Sequence, residues 1–113
     1  MPAIPVLLDT DIGTSLDDTI CLAYLAASPA FEVVGVSTVT DKSLRRGDYA
    51  RSILHHYGVE APVVPGAERS VSGETMQPKL LPALPVAPAV SAWDGVRPPR
   101  TFIELHAEAL TRY

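Results

Sequence analysis

An α/β fold with an open, mostly parallel sheet and flanking helices is predicted by three features of the sequence. Short apolar runs alternate with segments of helical periodicity, the connections between them are short, and acidic residues gather where the first apolar run ends. Runs of strand length separated by single helices are the pattern of parallel strands joined by right-handed crossovers.

The elements follow in order. "AIPVLLD" (3–9) reads as a buried strand, with Pro5 placed near its start because proline cannot donate inside a central strand. From Leu16 to Ala27, Leu16, Ile20, Ala23, Tyr24 and Ala27 recur at helical spacing, and Ser28-Pro29 stops the helix. "FEVVGVSTV" (31–39) is rich in β-branched residues and predicts a second buried strand. A helix is predicted over 43–57, with Ala50, Ile53, Leu54 and Tyr57 on one face and Gly58 closing it. "APVVPG" (61–66) predicts a short third strand.

Six of the eleven prolines lie between Pro78 and Pro99, which predicts a long extended loop over 72–100. Helical spacing returns over 101–113, with Ile103, His106 and Leu110 on one face and Phe102, Leu105 and Ala109 on a neighbouring one. An alternating fold would continue with a strand after Tyr113. The expected organisation is therefore one partial α/β domain over 1–113.

Composition narrows the function. A net charge of −4 gives no electrostatic footprint for nucleic acid or an anionic membrane. Lys42, Arg45 and Arg46 form the one basic cluster, read as a solvated helix start. No apolar stretch is long enough to span a bilayer. The N-terminus lacks the basic region of a signal peptide, and the single cysteine, Cys21, suits a reducing compartment. A cytoplasmic protein is expected.

"LLDTDIGTSLDD" (7–18) carries the chemistry: Asp9, Asp11, Asp17 and Asp18 fall in a dozen positions at a strand's carboxyl end. Ligands of open parallel sheets bind at that end. Gly13 allows a tight turn, and Asp17 and Asp18 open the next helix, where its positive end favours acids. Any one of these acids is explained by capping or solvation. Four together repel without a counter-charge, and convergent carboxylates are the ligands of a hard divalent cation. A metal-centred site is the better reading of the set.

"DTDIGTSLDDTICLAYL" resembles the D-x-D-x-G-x-x-x-D-D-A-x-A-L signature of the inosine/uridine-preferring nucleoside hydrolases. "SPAFEVVGVSTV", "ARSILHHYG" and "APVVPGAERSV" are similar to that family's second strand, second helix and third strand with its turn. The likeness covers residues 3 to 71 well. It implies the Rossmann-like N-terminal part of the nucleoside hydrolase fold and calcium-assisted hydrolysis of the N-glycosidic bond of ribonucleosides, a purine or pyrimidine salvage reaction. By the resemblance, Asp11 is a calcium ligand and the base for the attacking water, Asp18 a second calcium ligand, and Asp17 a partner of a ribose hydroxyl. Asp9 and Gly13 support the turn. A divalent cation acidifies water and a nearby carboxylate completes its deprotonation, while carboxylates stabilise an oxocarbenium-like state.

Two departures stand out. Asp41-Lys42 replaces the family's Gly-Asn, bringing a lysine either toward the ribose or out to solvent, and Thr19 replaces an alanine. Family members are also much longer, and their later segments supply further calcium ligands, the ribose-binding Asn and Glu and a leaving-group His. The expectation is thus an N-terminal portion without turnover of its own, marginally stable and self-associating through a strand edge or the apolar face of helix 101–112. Two other readings compete. Haloacid-dehalogenase-like magnesium phosphohydrolases also place Asp-x-Asp after a first strand, but Gly13 stands where they have Thr or Val. The other is a non-catalytic cation- or partner-binding domain. His55 and His56 read as helix C-terminal charges, Cys21 as a small core residue, and His106 as a packed or surface histidine. By the resemblance alone, which puts a mobile loop of the family in this region, Trp93 and Asp94 are candidate nucleobase contacts.

Overall fold

A computed structural model describes residues 1–73 and 101–113; the readings of the proline-rich stretch and of Trp93 and Asp94 lie outside the described residues. The elements run β1 (Ile4–Thr10), α1 (Leu16–Ala27), β2 (Phe31–Thr38), α2 (Ser43–His56), β3 (Val63–Pro65) and α3 (Phe102–Arg112). The three strands form one parallel sheet in the order β1-β2-β3, an open α/β arrangement with flanking helices as predicted. Among the described residues no helix is long and apolar enough to cross a membrane.

Local signals explain the boundaries. Ser28 leaves α1 in an extended conformation before Pro29. Gly58 takes the left-handed region at φ +67 and its N–H reaches the carbonyl of His55, closing α2. Thr101 and Glu104 form a reciprocal capping box that starts α3.

A register shift between Val6 and Leu7 sets the two faces of the sheet. Val33, Val36 and Val63 pack with Ile12, Leu22, Ala50 and Leu54 in the core beneath α1 and α2. Gly35 and Ser37 face the other way, under α3, where Leu105 lies over Gly35. One helix thus covers the face opposite the other two.

Three expectations need correction. The stripe Leu16, Ile20, Tyr24 of α1 faces solvent, and Leu22, Leu25 and Ala26 face the core instead. Cys21 is exposed and is no core residue. β1 is an edge strand, half-buried, with its first two residues exposed. The N–H of Ile4 points to β2, so Pro5 lies where the free edge would need a donor, which blunts that edge.

β3 continues into a close approach. The N–H of Gly66 donates to the Thr38 carbonyl at 2.6 Å, and a Cβ on Gly66 would stand 2.7 Å from that same backbone oxygen. Backbone cannot step aside as a side-chain tip can. Gly66→Ala is expected to cost about 2 kcal/mol, read as a lower urea midpoint with an unchanged slope.

Candidate functional site

The turn between β1 and α1 begins with Thr10, whose side chain points to the helical face and is buried. Its Oγ1 donates to the Asp18 carboxylate at 2.5 Å and accepts the Ile12 N–H at 3.1 Å. Gly13, buried at φ +105, turns the chain in a conformation that side chains rarely adopt. The turn thereby brings Asp11, half-buried, into hydrogen-bond reach of Asp18. That contact with Asp18, then burial, then the Asp18 charge raise the Asp11 carboxyl above its ordinary range, against the pull of Arg46. Two neighbouring carboxylates that perturb each other are relieved by a shared proton or by a cation.

The other two acids go elsewhere. Asp17 is exposed and accepts a short hydrogen bond from the Ser15 hydroxyl, which together with the Asp18 N–H lowers its carboxyl below the usual range. Asp9 does not support the turn as expected. It lies on the α3 face, where its Oδ1 accepts from Ser37 Oγ at 2.5 Å. Ser37 Oγ also lies 2.8 Å from His106 Nε2. The one hydroxyl proton goes to Asp9, so Nε2 carries a hydrogen and donates to Ser37. His106 is thus a packed, half-buried histidine that ties α3 to the carboxyl ends of β1 and β2.

Arg46 corrects the reading of the basic cluster. Lys42 and Arg45 are exposed, but Arg46 is 0% exposed. Its Nε donates to the Asp41 carbonyl at 2.7 Å, while one terminal nitrogen reaches the Asp11 carbonyl (2.6 Å), the Ile12 carbonyl (3.1 Å) and Thr14 Oγ1 (2.7 Å). Burial lowers its pKa, and the charges of Asp11 and Asp41 raise it. A guanidinium stays protonated in such a place, so the acidic turn has a built-in counter-charge behind it. The signal was present: Arg46, Ala50 and Leu54 are four residues apart, on the buried face of α2.

Lys42 swings to solvent, in the left-handed region at φ 56, and Thr40 is left-handed too at φ 68. Such angles suit Gly and Asn better than Thr and Lys. Bonds from outside hold the segment: Thr40 N–H to the Ala67 carbonyl, Ser43 N–H to Glu68, and Arg46 to Asp41.

A cleft of about 480 Å³ lies between α3 and β3, lined by Val34, Arg51, Val63, Leu105, Ala109 and Tyr113 among others, and none of the four aspartates borders it. Among the described residues no group of three or more His, Cys, Asp or Glu could hold a metal ion. Asp11 and Asp18 converge as a pair. The chain matches no protein-family model and no curated protein.

Proposed function

We propose that the acidic turn is the cation- and ribose-binding part of a calcium-dependent nucleoside hydrolase site, in a cytoplasmic protein. The observation that carries this reading is the convergence of Asp11 and Asp18 at the carboxyl end of β1, with Asp11 held above its ordinary range. A cation fits there because it would remove the repulsion between two neighbouring carboxylates. Asp11 and Asp18 would hold calcium from one side, and calcium would supply an acidified water. Asp11, with its raised affinity for protons, would take the proton of that water. Thr10 fixes the Asp18 carboxylate, and Asp17, exposed one residue away, would accept a ribose hydroxyl.

Two carboxylates fall short of the roughly six to eight oxygens that calcium takes. Calorimetry is therefore expected to give a Kd no tighter than about 10⁻³ M for the 113-residue chain. Proton and cation compete for Asp11, so affinity should fall as pH drops through the raised Asp11 value and recover above it. Ribose release from inosine or uridine is expected to be absent. Turnover that Asp11→Asn abolishes would show the site to be more complete; micromolar calcium affinity would do the same.

One observation favours a second reading. Arg46 supplies positive charge behind the turn, and Asp9, Asp17 and Asp18 each take a protein hydroxyl, so the acids are accommodated without metal. In its partner-binding form, a non-catalytic domain that keeps the turn as a relic would bind no calcium at millimolar concentration, and its stability would not respond to calcium.

A further inference from the structure

α3 is fastened to the rest of the chain differently from α1 and α2. Those two run between paired strands over short connections, so neither leaves without parting the sheet. The stretch from β3 to α3 runs from Gly66 to Thr101, enough chain to let the helix move away. α3 also needs nothing from its neighbours at its start, because Thr101 and Glu104 cap each other's N–H groups.

The seat of α3 on the sheet is small and lies in its first turns. Leu105 is the one buried residue of the helix, and it rests over Gly35, where the sheet has no side chain to interlock with it. His106 adds its hydrogen bond to Ser37. Further along, Ala109, Arg112 and Tyr113 share the cleft of about 480 Å³ with Val34, Val63 and Val64, so this half of the helix lacks the close packing of an interior. On the other side of the sheet, α2 buries Arg46, Gly47, Ala50 and Leu54 along its length and forms one core with α1 and the strands.

We propose that α3 is a detachable cover: it leaves the sheet as a unit while the three strands, α1 and α2 stay folded, and so uncovers Gly35 and Ser37. Ser37 is 0% exposed with α3 in place and lies near the carboxyl end of β2, with Asp9 opposite it on β1. Opening leaves the bond from Ser37 to Asp9 intact, and water takes the place of His106 at the Ser37 oxygen. The polar part of the seat is therefore released at small cost, and Leu105 supplies most of the resistance. Opening also melts the helix, because eleven residues fall below the length at which a helix holds by itself in water. None of this depends on whether the acidic turn takes a cation.

Native-state hydrogen exchange of the full chain, followed by NMR at low urea concentrations, reads the opening directly. The amides of Leu105, Ala109 and Leu110 are expected to exchange together, through an opening about tenfold or more frequent than the one that frees Val36, Ala50 and Leu54. Their exchange should rise gently with urea, because lifting α3 exposes little surface, whereas that of the other three should rise steeply. Ile53→Val thins the core on the far side of the sheet, where Ile53 packs. It should speed Val36, Ala50 and Leu54 about fivefold and leave the α3 amides within about twofold of the parent chain. One shared urea dependence for all these amides would make α3 part of a single cooperative fold and overturn the proposal. So would α3 amides that exchange as fast as an unfolded peptide, which would leave the helix no seat to depart from, or an Ile53→Val change that speeds α3 as much as the core.

Discussion

Arg46→Met is expected to destabilise the fold by about 3–5 kcal/mol, the range for removing one partner from a buried, hydrogen-bonded charge cluster. Methionine fills much of the arginine volume, so the loss is not mainly one of packing. What is lost is the donor set. The carbonyls of Asp11, Ile12 and Asp41 and the hydroxyl of Thr14 each lose a hydrogen bond from a cation, and the Ile12 carbonyl is buried from water. Arg46→Lys should recover only part of the loss. An ammonium keeps the charge beside Asp11 and Asp41, but it cannot donate from both the Nε and the terminal nitrogen positions of the fork. The order of urea midpoints should be parent, then Lys, then Met. If Lys equals the parent, charge alone holds the turn and the fork geometry is irrelevant. If Met equals the parent, the turn is held by Gly13 and the Thr10 bonds without Arg46.

The places where sequence reading succeeded and failed have separate physical causes. Element ends were legible because they are set by neighbours along the chain: Pro29 stops α1, Gly58 stops α2, and Gly13 makes the first turn. The buried face of α1 was not, because the helix holds two apolar stripes. Leu16, Ile20 and Tyr24 satisfy helical periodicity as well as Leu22, Leu25 and Ala26 do, and only the packing against β2 and α2 chooses between them. Arg46 was read as solvated because burying an arginine needs acceptors, and its acceptors lie as far back as Asp11, 35 residues away. Its spacing from Ala50 and Leu54 gave a hint that the charge of the side chain masked. In the acidic turn, Asp18 lies near enough to Asp11 to raise its carboxyl. Strand alternation alone separates Asp9, which shares a face with Leu7, from Thr10, which shares one with Leu8 and reaches Asp18. The tie from Ser37 to His106 spans 69 residues and leaves no local trace.

Leu105→Ala is expected to cost about 3–4 kcal/mol, the middle of the range for truncating a buried leucine. The reason is the residue beneath it. Leu105 is 2% exposed and its two methyls rest over Gly35, which has no side chain to move into the space left behind. The sheet cannot collapse into the gap, so the cavity stays. Gly35→Ala should fail for the complementary reason. A Cβ there would meet Leu105 Cδ1 at 2.9 Å and Leu7 Cδ1 at 3.0 Å, so α3 must lift or both leucines must turn off their rotamers, at about 1–2 kcal/mol. The two changes therefore compensate. With Leu105 shortened, the Gly35→Ala methyl enters space that the first mutation opened, and the double variant should be more stable than the sum of the singles by about 1 kcal/mol or more. The same cycle reports on His106. α3 is held to the sheet by Leu105 and by the His106–Ser37–Asp9 hydrogen bonds, so lifting the helix should also break the bond to Ser37. NMR of the His106 ring should show its Nε2 hydrogen exchanging faster in Gly35→Ala, and slower again in the double variant. Strict additivity of the three stabilities would mean that Leu105 and Gly35 do not share one packing site, and that α3 is seated on the sheet by other contacts.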